Sequence, residues 1–203
     1  MSTKLTTPKG RAKYPHVNEP NTRFNPMGEY SCTLVVSSED ANDFKAKVDK
    51  IYEAEYDREC MIQKKKSLKK ATSYPILMDE DGDWIIKTKQ VAKVESKSGD
   101  VYNFDVKLFD AAGKPVKPSV GSGSIVKCAV EPRTWYVPSL GFGITLSLKA
   151  VQVIDLVEIG GSNADAFGFS EEEGYQGESL DEAFKDDDSE PVAAETSSED
   201  FDF

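Results

Sequence analysis

The chain contains a single histidine, His16, among its 203 residues. A single imidazole leaves little room for His-based catalytic triads or the common zinc ligand sets. Its three cysteines, Cys32, Cys60 and Cys128, are far apart and never in Cys-x-x-Cys spacing. That pattern argues against a disulfide framework or a redox motif. Cys32 and Cys128 lie within apolar strand patterns and read as small buried hydrophobes. No apolar run approaches the roughly 18 to 20 residues of a membrane span. The first residues, Met1 to Leu5, lack the apolar segment of a secretory leader. The expectation is a soluble cytoplasmic protein without metal, cofactor or catalytic residues.

Acid is abundant and unevenly placed. From Asp155 to Phe203 the sequence has 17 of its 36 Asp/Glu and one of its 25 Lys/Arg, Lys185. The remaining 154 residues hold 24 Lys/Arg against 19 Asp/Glu, a net +5 concealed beneath the overall −11. This split describes a mildly basic body that suits a polyanion and an acidic arm able to compete for the same surface or to recruit partners. The arm, residues 158–203, is rich in Asp, Glu, Ser and Gly with scattered apolar residues. It buries too little to offset ordering entropy, so disorder is expected there. Residues 1–157 then form one domain around one core.

Within that domain, residues 4–17 and 29–36 read as strands, and Pro20, Asn21, Asn25, Pro26 and Gly28 mark the loop between them. Ser37 and Ser38 offer N-caps, with Glu39, Asp40 and Asp43 in the first helical turn. Phe44, Val48, Ile51, Tyr52 and Tyr56 follow at helical spacing to about Arg58, and a weaker continuation is expected through Lys64–Lys70. Beyond Pro75 the pattern is β: 84–94, 101–109, 124–136 and 144–157. The fold class is mostly β (α+β), with five or six strands and one inserted helical region at about 38–70. A small partly open barrel accommodates such strands because closure removes sticky edges, although composition also allows a sandwich.

Basic residues alternate with aromatics along these strands. Lys87 and Lys89 fall on the face opposite Trp84 and Ile86. Lys127, Arg133 and Trp135 share a face if no bulge intervenes, while Val126, Cys128 and Val130 read as core; Tyr136 joins the candidates beside Trp135. Lys9, Arg11 and Lys13 alternate beside Tyr14. Single-stranded nucleic acid calls for this mixture, because cations follow phosphates and aromatic rings stack on bases at about 1–3 kcal/mol each. Each element also has a plainer reading. A strand lysine can simply be solvated or protect an edge, Trp84 can be core, and Lys64–Lys70 can be a soluble helix face. Phe24, Phe44, Phe104 and Phe109 are assigned mainly to packing. Asp79-Glu80-Asp81-Gly82-Asp83 departs from a calcium loop, with Gly82 and Gln90 at the wrong positions, and reads as an Asp-Gly hairpin turn.

Four segments taken in order carry a family resemblance: Gly10–Pro15, Gly28–Val36, Asp83–Lys87 and Gly143–Val153. With the acidic tail ending in Phe203, they resemble the single-stranded-DNA-binding proteins encoded by tailed bacteriophages. The resemblance implies a five-stranded OB-fold-like barrel that coats single-stranded DNA without sequence preference during replication, recombination and repair in the infected bacterial cell. It further implies that Glu199, Asp200, Phe201, Asp202 and Phe203 contact replication proteins such as polymerase and helicase-primase, with the terminal aromatic important. Monomer and homodimer both remain open. Three rival readings are an acidic-tail interaction scaffold without DNA binding, an RNA-binding OB module and a metal-dependent nuclease.

Overall fold

The computed structural model describes residues 3–96 and 98–158. Its strands are β1 (Leu5–Thr6), β2 (Gly10–Asn21), β3 (Glu29–Val36), β4 (Ile76–Met78), β5 (Trp84–Val91), β6 (Lys93–Glu95), β7 (Val101–Asn103), β8 (Lys107–Phe109), β9 (Ile125–Val137) and β10 (Gly141–Asp155). One helix, α1 (Ser38–Ile62), joins β3 to β4.

Five strands close on themselves. β2, β3 and β5 form an antiparallel meander, β5 runs parallel to β10, β10 pairs with β9, and β9 returns to β2. This is the OB-type barrel expected from the sequence. It is partly open because β5 and β10 pair only through Ser147 and Lys89. Beyond that pair, residues 69–75 occupy the gap. The Phe142 amide donates to the Lys69 carbonyl (2.7 Å), Ala71 to Phe142 (2.8 Å) and Lys87 to Pro75 (2.7 Å).

Strand alternation explains the core. Tyr30, Cys32 and Leu34 of β3 face inward, paired with Gln90, Thr88 and Ile86 of β5. Val126, Cys128 and Val130 oppose them from β9, as expected. A hydrogen bond with Cys32, reinforced by burial, pushes the Cys128 thiol up, so it packs as a neutral group. Register shifts in β2 and β10 break the alternation. In β2, the inward positions pass from Ala12 to Pro15 and Val17, and Tyr14 is extruded at φ 50°. In β10 they pass from Leu148 to Val151, leaving Lys149 as the extra residue opposite β9.

Helix α1 starts where the Ser37 side chain accepts a hydrogen bond from the Asp40 amide (3.1 Å). It buries Phe44, Val48 and Tyr52 against the barrel. The expected continuation through Lys64–Lys70 is overturned. Gln63 caps the helix, Lys64 turns at φ 52°, and the segment leads into the barrel gap. The turn at Asp79–Asp83 links β4 to β5 as a hairpin, with Gly82 at φ 87°. The expected first strand is divided at Thr7–Lys9 into β1, on β9, and β2. β4 escaped the sequence reading, and β6–β7 form a separate two-stranded arm.

Candidate nucleic-acid interface

The outward positions of four neighbouring strands form rows across the barrel. Ser31 of β3 stands beside Lys89 of β5, which adjoins Ser147 of β10 and then Glu131 of β9. One step along, Lys13 pairs with Thr33 and Thr33 with Lys87, while Thr145 pairs with Arg133. A further step brings Gly143 opposite Trp135. A Cβ on Gly143 would lie 2.3 Å from Trp135 Cζ2 and 2.6 Å from Cε2. The six-membered part of the indole therefore rests directly on the glycine, half-buried, with the remainder of its surface outward.

The cations of this face are mostly balanced locally. Lys89 Nζ lies 3.2 Å from Glu29, while Arg133 and Lys149 lie 3.5 and 3.4 Å from Glu131. Lys149 also donates to Gln90 Oε1 (3.1 Å), and its Nζ lies 6.0 Å from the centre of the Phe104 ring. Lys87 has no ion pair among the described residues. The Lys89–Glu29 pair is the more exposed, and such a pair contributes about 0–1 kcal/mol, whereas the Glu131 carboxylate shared by Arg133 and Lys149 is largely buried. An anion can replace Glu29 at Lys89 at small cost, and the face sets cations beside an outward aromatic surface.

The family model of the single-stranded DNA-binding protein of bacteriophage T7 matches residues 9–156. The chain belongs to the bacteriophage T7 single-stranded DNA-binding protein family. Solved structures agree on the fold. The gp2.5 single-stranded DNA-binding protein encoded by bacteriophage T7 is 21% identical at a TM-score of 0.68, covering 88% of this chain and all of that one. The single-stranded DNA-binding protein of bacteriophage Enc34, solved in complex with ssDNA, is 16% identical at a TM-score of 0.57, covering 78% of this chain and 89% of that one. No curated protein sequence matches the chain.

The nucleic-acid-binding candidates all fall within the matched residues 9–156, but the structure sorts them. Lys87, Lys89, Arg133 and Trp135 come together on one face. Lys9 and Arg11 are exposed at the start of β2, and Tyr14 is 72% exposed at its bulge. Lys13 is held by Asp79 and Asp81, both at 3.1 Å. Those hydrogen bonds raise its pKa and lower that of Asp79, so Lys13 clasps the β4–β5 turn. Lys127 lines a different groove with Thr6, Phe109 and Gln152. It lies six residues from Arg133, about 20 Å along the strand. Tyr136 follows Trp135, so alternation turns it to the opposite side, where it packs against the core.

Two further residues were missed by the sequence reading. Lys149 reaches the face through the β10 bulge, which nothing in the alternation announces. Phe24, assigned to packing, is 85% exposed in the β2–β3 loop with Arg23 Cζ 5.5 Å from its ring centre. The nearby Arg-Phe-Asn-Pro run was the available signal for an exposed loop aromatic. Phe104 is likewise more exposed than its packing assignment implied, whereas Phe44 is buried as assigned and Phe109 half-buried. Residues Glu199, Asp200, Phe201, Asp202 and Phe203 lie outside the described residues, as does the expected disorder of the arm.

Proposed function

We propose that this protein binds single-stranded DNA without sequence preference, using the outer face of β3, β5, β10 and β9. The observation that carries the proposal is Trp135 seated on Gly143 within a face bearing Lys87, Lys89, Arg133 and Lys149. Lysines follow the phosphates, Trp135 stacks on a base, and Phe24 offers a second ring at the loop. Such contacts tolerate every base because each has a π-face. The protein acts by binding, without a covalent step, and serves phage DNA replication, recombination and repair in the cytoplasm of the infected bacterial cell.

The acidic arm completes the proposal. Its carboxylates compete with DNA for the basic face, and Glu199–Phe203 recruits replication proteins such as polymerase and helicase-primase once DNA displaces it. Family membership and the charge split between body and arm support this reading. Fluorescence anisotropy of a labelled dT oligomer, titrated with the full chain across salt concentrations, tests the core of it. Affinity is expected to fall steeply with salt, as counterion release requires. Flat anisotropy at low salt refutes DNA binding, and preference for a matched RNA oligomer favours an RNA-binding module instead.

A further inference from the structure

The seam between β5 and β10 encloses a pocket of about 260 Å³ that opens on the outer face. Its lining includes Tyr74, Ser31, Thr33, Lys87, Lys89 and Thr145. Tyr74 belongs to the segment that fills the barrel gap, and helix α1 fixes it from behind. Its hydroxyl donates to the Asp49 carboxylate, Lys45 Nζ lies 5.2 Å from its ring centre, and Tyr52 meets it edge-on at 6.0 Å. Lys45 is itself paired with Asp49 at 2.6 Å. Burial, reinforced by Asp49, pushes the Tyr74 phenol up, so the hydroxyl stays a neutral donor.

The contents of this pocket match the parts of a nucleotide. An aromatic wall suits a base, the small hydroxyl side chains suit the polar edge of that base, and Lys87 without an ion pair suits a phosphate. At about 260 Å³ it falls just below the range of about 300–1,000 Å³ typical of small-molecule sites, so one nucleotide is the largest unit it suits. We infer that this pocket takes one nucleotide of the bound strand, turned out of the stack, with its base against Tyr74 and its phosphate at Lys87. The inference rests on the proposed DNA-binding reading and deepens it. It gives the long insertion between β3 and β5 a purpose, because α1 holds the wall on which that base rests.

The test is an NMR titration of the full chain with thymidine 5′-monophosphate, run beside dT-oligomer anisotropy. The mononucleotide is expected to shift the amides of Ser31, Thr33 and Thr145 and the ring protons of Tyr74. Thr33→Tyr, which fills the pocket from an outward strand position, is expected to abolish those shifts. It should also weaken oligomer binding by between about 5- and 150-fold, the range for losing one stacked base. Thr145→Phe fills the pocket from the opposite strand and serves if Thr33→Tyr loses its native circular dichroism. Intact oligomer binding without pocket shifts overturns the inference and leaves the function standing. So does unchanged oligomer affinity in a folded, pocket-filled variant. Absence of oligomer binding by the unmodified chain overturns the reading beneath it.

Discussion

A methyl group at position 143 tests the stacking surface with little other disturbance. Gly143 is not in the left-handed region, so alanine meets no backbone strain there. What it meets is Trp135, whose Cζ2, Cε2 and Cη2 would lie 2.3, 2.6 and 2.8 Å from the new Cβ. Carbon atoms prefer separations of about 3.5–4.0 Å, so the indole must lift from the strand by more than about 1 Å. Overpacking in a closed core costs about 1–3 kcal/mol. Here the ring is half-exposed and can swing outward, so the lower end of that range is expected for stability. DNA binding should suffer more. If the displaced ring no longer stacks, about 1–3 kcal/mol is lost, which corresponds to between about 5- and 150-fold in affinity. Anisotropy with a dT oligomer gives the affinity, and Trp135 emission in a Trp84→Phe background reports whether the ring has moved. In a Trp135→Ala background the Gly143→Ala change should add almost nothing, because the two residues act through one contact. Additive losses would refute the coupling. A ring that moves while affinity stays within about twofold would refute stacking by Trp135 itself.

Other perturbations probe separate parts of the reading. Lys87 and Lys89 should differ in salt response: Lys87→Ala should lower the slope of log K against log salt by about 0.7, the value for one phosphate contact on a single strand. Lys89→Ala should lower it less, because Glu29 already neutralises that lysine; equal changes would sink the distinction. Phe24→Ala is expected to keep stability within about 0.5 kcal/mol while weakening DNA binding, and a lower melting temperature with unchanged affinity would mark Phe24 as packing. Deleting residues from Asp165 onward should tighten oligomer binding at low salt, and unchanged or weaker binding would remove the competition between arm and DNA.

The Lys13 clasp predicts a pH response with two limits. Asp79 has its pKa lowered by Lys13, so its contribution is present above about pH 4, the ordinary carboxylate range, and is lost as pH falls through the depressed value. Lys13 has its pKa raised, so its contribution is present below 10.5 and is lost as pH rises through the raised value. The melting-temperature gap between the unmodified chain and Lys13→Met should be flat between those limits and close at both ends. A gap that widens toward acid would contradict the clasp.

Periodicity made much of this molecule legible. The alternation over residues 29–36 coincides with β3, and the helical spacing of Phe44, Val48 and Tyr52 marks the face that α1 buries. The outward pair Lys87 and Lys89 was readable for the same reason. What could not be read depends on partners distant in sequence. Tyr14 and Lys149 sit at bulges, which shift the facing of later residues without changing local composition. Lys13 looks like any basic strand residue until the β4–β5 turn brings Asp79 and Asp81 to it. The lysines after α1 have helical propensity, yet hydrogen bonds to β10 and β5 draw the chain into an extended filler. Phe24 carries no mark of exposure beyond its loop neighbours, because an aromatic ring reads alike in a core and on a surface.

Closure of the barrel depends on segments that emerge at very different times during synthesis. β2, β3, α1 and β5 can assemble once residue 91 is available, but Lys69 and Ala71 must wait for Phe142, roughly 70 residues later, to gain their backbone partner. Until β9 and β10 arrive, the nascent meander leaves the start of β2 and the part of β5 beyond the β4 hairpin without their strand partners, edges of the kind that pair with other chains. Completing the ring is therefore a late folding event, and a fragment ending before Gly141 should aggregate instead of yielding a smaller working domain. The element that finishes the proposed DNA-binding face is also the one that makes the folded chain safe from its neighbours.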